Sequence, residues 1–198
     1  MQQKLNEAYD FFDIKSEEKT NQKLVQFVDL IYKWNKVYNL TAHQTKEDIF
    51  YYHIIDSLSI VNFIKQGTLL DVGSGAGLPG IVIAILKPNV QVSVLDSVGK
   101  KCRFMQFCKT QLKIDNLTII NKRVEDLQGI SFEQITTRAF ATVEKTLSLT
   151  KHLLSENTTY WLMKGNNFAQ EEIKISYKTH HISVPNVAEN RYLLEINL

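Results

Sequence analysis

Residues 69–80, LLDVGSGAGLPG, restrict this chain more than any other stretch of it. An apolar run of strand length enters a turn with glycine at alternate positions, Gly73, Gly75 and Gly77. It leaves into an apolar segment of helical character that begins near Leu78. Glycine takes positive φ without a Cβ penalty and lets backbone approach a ligand closely. The helix start behind the turn offers unpaired N–H groups and the positive end of a dipole. Asp71 stands at the strand's end, ahead of the glycines. This arrangement commits the segment to a strand–turn–helix unit and points to a nucleoside cofactor.

The flanking sequence fits one α/β unit with an added helical region. Across residues 1–66, Leu24, Phe27, Val28, Ile31, Trp34 and Tyr38 recur at helical spacing, an apolar stripe on a long helix. Glu47 to Ile64 reads as one or two further helices with Ile54, Ile55, Leu58 and Val61 inward. From Gly67 strands and helices alternate. Strands are expected over 68–72, 90–96, 117–121, 132–137 and 159–163, and helices over 78–86, 99–113 and 143–154. Two late strands, 178–184 and 192–197, suit an antiparallel edge. Such alternation predicts a seven-stranded, mostly parallel sheet covered on both faces. Two regions follow, a helical extension over 1–66 and an α/β domain over 67–198. Ligands of open α/β sheets bind outside the carboxyl ends of the strands, so the site should draw on Asp71–Gly77, Asp96–Lys100, Asn121–Glu125, Arg138 and Lys164.

A formal charge of +2 on 198 residues is too mild to argue for a polyanion by itself, so local clusters must carry that case. Cys102 and Cys108 make neither a zinc pattern nor a disulfide framework, which suits a reducing compartment. The polar start and the absence of a run of roughly 20 apolar residues predict a soluble, cytoplasmic protein off the membrane. Without a recognisable association motif, a monomer is expected.

Two cofactors compete for the glycine turn. Gly75 to Gly80 satisfies G-x-G-x-x-G, and Asp96 follows about 20 residues on, as a dinucleotide's ribose partner would. However, Asp71 stands where its charge would oppose a pyrophosphate. It suits the amino group of a methionine moiety, with Asp96 at the end of the second strand holding the ribose hydroxyls. S-adenosylmethionine is therefore the expected cofactor, with NAD as the alternative.

Further motifs stand in order along the chain: WNKVYNLT at 34–41, HIIDSL at 53–58, the glycine turn, LDSVGK at 95–100 and TRAFA at 137–141. Together they closely resemble the bacterial 16S ribosomal RNA guanine-N7 methyltransferases of the G type, the glucose-inhibited-division protein B family. The resemblance runs from about residue 20 to Lys164. It implies a Rossmann-like class I methyltransferase fold and transfer of a methyl group to N7 of one guanine in the decoding region of 16S rRNA. The substrate would be that RNA, the small ribosomal subunit or its assembly intermediate. The resemblance also implies cofactor contacts from Gly73, Leu78, Val124, Glu125 and Arg138, beside the turn with Asp71, Gly75 and Gly77, and Asp96 with Ser97. Val82 departs from a frequent proline, and Lys101 from a commoner arginine, which keeps the charge but loses the planar fork.

The residues agree with such chemistry. N7 of guanine already presents a lone pair, so no base must remove a proton; alignment and exclusion of water are what the protein supplies. No Asn/Asp-Pro-Pro-aromatic run of the exocyclic-amine enzymes follows the fourth strand, and both cysteines fall on a helix rather than at the site. Arg138 and Arg123, after the fourth and third strands, are the candidate catalytic residues. Lys100, Lys101, Arg103, Arg123, Lys164 and Arg191 are expected to form a basic rim for RNA. His53 and Asp56 share a helical face and suit a pocket wall better than a catalytic pair. The remaining histidines make no ligand pattern, so no metal is expected. Phe27, Trp34 and Tyr38 read as core, and Asn35 and Asn39 as shaping a loop or pocket. Phe140 suits stacking on the base and core packing equally. A methyltransferase for a small molecule or protein, and a non-catalytic ribosome-associated protein, are the rival readings.

Overall fold

The computed structural model describes residues 1–15 and 17–198. Helix α1 spans Gln2–Phe12, and α2 spans Glu18–Tyr38. The buried face of α2 carries Leu24, Phe27, Val28 and Ile31, the stripe read from its spacing. Asn39 ends this helix in the left-handed conformation at φ 48°. A second helical stretch is less regular than expected. It runs as α3 (Lys46–Ile49), a π-helical segment (Phe50–Ile55) and α4 (Asp56–Leu58), followed by a 3-10 turn at Val61–Phe63. Thr45 caps its start by accepting from the Asp48 N–H at 3.0 Å. The widened turn carries His53 and delivers the chain to Asp56; such π segments recur at functional sites.

The sheet has seven strands in the order β3-β2-β1-β4-β5-β7-β6. They are β1 (Gly67–Val72), β2 (Val90–Leu95), β3 (Leu117–Ile120), β4 (Phe132–Arg138), β5 (Leu154–Lys164), β6 (Lys178–Ile182) and β7 (Arg191–Asn197). The first five pair in parallel. The last two strands join antiparallel, β7 against β5 and β6 against β7. The chain travels outward from β1 through β2 to β3, then returns on the other side of β1 as β4. That reversal opens a crevice above the carboxyl ends of β1 and β4.

Helices α5 (Gly80–Leu86), α6 (Gly99–Leu112) and α7 (Val143–Thr150) connect the strands. The first starts at Gly80 rather than Leu78, with Pro79 as its N-cap. The strand β5 begins at Leu154, five residues earlier than expected. Its opening residues Ser155, Glu156 and Asn157 look like a loop because they are polar. The ladder is held there by side chains: Thr158 Oγ1 accepts from the Ser155 N–H and donates to the Phe132 carbonyl, both at 2.8 Å.

One apolar cluster joins the N-terminal helices to α5, α6 and one sheet face. Phe27 of α2 stacks with Phe104 of α6 at 6.4 Å, and Trp34 meets the same ring at 5.4 Å. A second cluster lies on the opposite face under α7, around Ile135, Val143 and Tyr160. Among the described residues, no helix is long and apolar enough to cross a membrane.

Candidate active site

The glycine turn is tied down from both neighbouring strands. Gly73 and Ser74 donate their N–H groups to the Leu95 carbonyl at the end of β2, at 2.9 and 3.0 Å. Asp96 accepts from the Gly75 N–H at 3.0 Å through one oxygen and from the Val98 N–H at 2.8 Å through the other. Each carboxylate oxygen has a second lone pair, so Asp96 retains acceptor capacity for ribose hydroxyls. Lys101 lies beside it at 3.5 Å. Cys102 donates its thiol to the Asp96 carbonyl, and burial pushes the thiols of Cys102 and Cys108 upward, which suits neither for nucleophilic attack.

Asp71 corrects the sequence expectation. It is wholly buried beneath the turn rather than open to a ligand on its surface. Its Oδ2 accepts from the Gly80 N–H at 2.8 Å, so the carboxylate itself occupies the helix start that was expected to face the ligand. Its Oδ1 has no partner among the described residues, and burial pushes the group's pKa up to about 7. A Cβ on Gly80 would sit 2.8 Å from Asp71 Oδ2 and 2.5 Å from Val94 Cγ1, so only glycine fits. Gly77 likewise differs from expectation: it packs against Ile81 and lines neither cavity at the strand ends.

Two cavities flank the turn. The smaller, about 420 Å³, is walled by Asp96, Ser97, Lys101, Arg123, Val124 and Glu125. The larger, about 900 Å³, is walled by Gly75, Leu78, Arg138, Lys164 and Arg191, with residues of the helical extension opposite. Gly73 and Phe140 border both. The ring of Phe140 lies where a Gly73 Cβ would meet it at 2.7 Å, so glycine keeps the passage between the cavities narrow and unobstructed by a side chain. Phe140 is half-buried, bordering both cavities while packing against the core cluster under α7.

Within the larger cavity the sheet and the helical extension meet through charge. Asp56, almost fully buried, accepts from Arg138 Nη1 through one oxygen and from Arg191 Nε through the other, both at 3.0 Å. Arg138 Nη1 also donates to the Tyr52 carbonyl, and its Nη2 lies 3.2 Å from His53 Nδ1. Nδ1 also lies 3.0 Å from the Tyr52 carbonyl, which only accepts, so it sits between a donor and an acceptor, and the other ring nitrogen is Nε2. That nitrogen meets Thr41 Oγ1 at 2.6 Å. Burial, and then the charge of Arg138, hold the His53 pKa down at about 3, so it is neutral at physiological pH and fixes geometry. Asn35 closes the Thr41 loop, accepting from the Thr41 N–H and donating to the His43 carbonyl, each at 2.9 Å. His53, Asp56 and Asn35 are thus wall and loop residues, as their sequence pattern suggests.

Three cations are placed differently from expectation. Arg123 lies on the smaller cavity, exposed and 3.6 Å from Glu125, away from Arg138. The strand order explains this: β3 and β4 are three spacings apart, about 14 Å. It therefore does not join Arg138 as a catalytic pair. Lys164 is held by Glu171 at 2.9 Å and the Ala141 carbonyl at 2.8 Å, and Arg191 by Asp56. Both are cavity walls rather than a free rim. Lys100 and Arg103 lie outside both cavities, exposed on α6. Thr41, His43, Tyr52, Gly80, Glu171 and Glu189 were not singled out as site residues from sequence. Of these, Thr41 carried a signal as the end of the motif at 34–41, and Gly80 as the end of the glycine motif at 69–80.

The GidB family, rRNA small subunit methyltransferase G, matches residues 20–192. The chain belongs to that family. The ribosomal RNA small subunit methyltransferase G of Ruthia magnifica is 52% identical over 191 residues, covering 96% of this chain and 94% of that protein. Its counterpart in Methylobacillus flagellatus is 39% identical over 198 residues, covering 98% and 97%. Among solved structures, a tRNA methyltransferase from Aquifex aeolicus superposes with a TM-score of 0.55 at 15% identity, over 72% of this chain and 68% of that one. The fold is accordingly the Rossmann-like class I methyltransferase fold, and the family is S-adenosylmethionine-dependent.

The site fits that cofactor on its own evidence. A cationic amino group on the turn is the electrostatic complement of the carboxylate buried beneath it. The cofactor-free protein carries a consequence in its pH dependence. Because burial raises the Asp71 pKa from 3.8 to about 7, this group favours the folded state fully below about pH 4 and loses that contribution as pH rises through 7. A cofactor's cationic amino group held on the turn above Asp71 opposes the shift through space, so cofactor affinity is expected to rise with pH across about 6 to 8, with a proton released on binding. Calorimetry in buffers of different ionisation heat measures that proton. Asp71→Asn should abolish its release.

Proposed function

We propose that the protein methylates N7 of a single guanine in 16S rRNA, acting on the RNA within the small subunit or its assembly intermediate. S-adenosylmethionine supplies an activated methyl group when bound. The observation that carries the acceptor is the larger cavity: it adjoins the glycine turn, is walled by a fixed arginine, and its buried imidazole is not available as a base. His53 has its pKa lowered to about 3 and is held by the Tyr52 carbonyl, Arg138 and Thr41. An acceptor with a lone pair already available needs no such group, and N7 of guanine is one.

Each part of the wall has a role in this reading. Asp96, Ser97 and Val124 hold the nucleoside end, and Asp71 the amino end through the turn. Arg138, locked by Asp56, donates toward the O6 side of the base, and Phe140 packs against its face. The base must leave its stack to enter, at a cost of a few kcal/mol. Outside the cavity, α6 presents Lys100, Lys101, Arg103 and Lys109 with no acidic residue, which suits a phosphate backbone.

Mapping N7-methylguanine in small-subunit RNA from cells with and without the gene tests the reading. One methylated guanine is expected to disappear. An unchanged map would remove the acceptor assignment.

A further inference from the structure

We propose that Glu189 reads the Watson–Crick edge of the target guanine, an inference that rests on the function proposed above. Among the described residues, three carboxylates line the larger cavity: Asp56, Glu171 and Glu189. Two of them are spent. Asp56 accepts from Arg138 and Arg191, one bond to each oxygen at 3.0 Å. Glu171 accepts from Lys164 Nζ at 2.9 Å and from the Val143 N–H at 2.6 Å, again one bond to each oxygen. Glu189 differs. Its one charged neighbour, Arg191 Nη2, stands at 3.7 Å, beyond hydrogen-bond reach, and its side chain is 57% exposed. The wall therefore offers one carboxylate with both oxygens available.

Guanine is the base that such a group selects. Its N1–H and N2 amino group are adjacent donors, and one carboxylate accepts from both. Adenine turns an unprotonated N1 to the same place and is repelled. The amides of Asn166 and Asn167 also line the cavity, but a neutral amide serves as donor or acceptor and so discriminates less. The arrangement along the wall is consistent with one base spanning it. Arg138 lies at one end, Asp56 and Arg191 follow, and Glu189 closes the other. The donor end suits the O6 side, and the acceptor end suits N1 and N2.

A carboxylate there also favours the reaction itself. Attachment of a methyl group to N7 leaves the purine ring positively charged, which makes N1–H a stronger donor. Its bond to Glu189 therefore tightens as the transition state is approached, and that is binding energy expressed in turnover.

The test uses small subunits reconstituted with rRNA carrying guanosine or inosine at the methylated position, because inosine lacks only the N2 amino group. The native protein is expected to prefer guanosine by about 10- to 100-fold in kcat/KM, the scale of a lost hydrogen bond to a charged group. Glu189→Gln and Glu189→Ala are each expected to lower kcat/KM on guanosine by a similar factor and to bring the preference close to 1. Glu189→Asp should restore part of it. Cofactor affinity measured on the same preparations should be unchanged, which establishes that the variants fold. A preference for guanosine that survives in the Glu189 variants overturns the inference, as does a native protein indifferent to the N2 amino group. Absence of any N7 methylation of guanosine by the native protein overturns instead the functional reading beneath it.

Discussion

Asp56→Ala is expected to abolish methyl transfer and to lower the stability of the fold by about 3 kcal/mol. The carboxylate is 2% exposed and is the shared counter-ion of Arg138 and Arg191, which reach it from β4 and β7. Removing it leaves Arg138 without an acidic partner and Arg191 with only the more distant Glu189 at 3.7 Å. Deleting one member of a buried pair costs roughly 3–5 kcal/mol; the low end applies because both arginine side chains retain about a fifth of their exposure and some water. At this chain length the corresponding fall in melting temperature is on the order of 10 °C. Asp56→Asn should be milder in stability, since its carbonyl still serves one arginine, yet its amide turns a donor toward the other. Cofactor affinity should be largely kept, because the smaller cavity and the glycine turn do not touch Asp56. Thermal unfolding, cofactor titration and turnover on one preparation check all three parts. Unchanged melting and turnover would show that the two arginines do not depend on it.

Gly80→Ala should disable the cofactor site by another route, with at least a tenfold loss of cofactor affinity and about 2 kcal/mol of stability. In an open helix, glycine to alanine gains up to roughly 1 kcal/mol from backbone entropy. Sterics outweigh that gain here. The new Cβ would lie 2.5 Å from Val94 Cγ1 and 2.8 Å from Asp71 Oδ2, and both residues are fully buried with no free direction to move. Either the helix start shifts or the Asp71 carboxylate does, and either movement breaks the bond between them. The turn then loses its anchor on one side while Asp96 still holds it on the other. Isothermal titration with the cofactor, alongside chemical unfolding, measures both effects. Retention of full cofactor affinity would show that the turn does not need this anchor.

The residues tested in these two experiments differ in how far sequence could reach them. The strands, α6 and the glycine turn are legible because their signals are local: alternation of apolar runs, glycines two apart, an acidic residue at the end of each of the first two strands. The beginning of β5 is not legible, because Thr158 holds it through side-chain bonds that a polar stretch does not advertise. Among the cations, type and position after a strand mark Arg138, Arg123 and Lys164 alike, and Arg191 opens the last strand. Their partners separate them, and those partners are remote: Arg138 stands 82 positions from Asp56 in the chain, and Arg191 stands 135. His53 and Asp56 look like a potential catalytic pair three apart on a helix. They prove to be joined through the arginine between them rather than to each other.

The sequence by itself determined the alternating α/β fold, the glycine turn with Asp71 and Asp96 around it, and the family, because each depends on residues close together in the chain. Only the tertiary structure decided which charges are spent and which are available. Burial turns Asp71 from a ligand on the surface of the turn into a carboxylate beneath it with one oxygen free. Strand order sends Arg123 to the smaller cavity, and Asp56 draws Arg138 and Arg191 into one wall. Charge in a sequence is only a count. What it does depends on the solvent it loses and the partner it meets, and both are set by the fold.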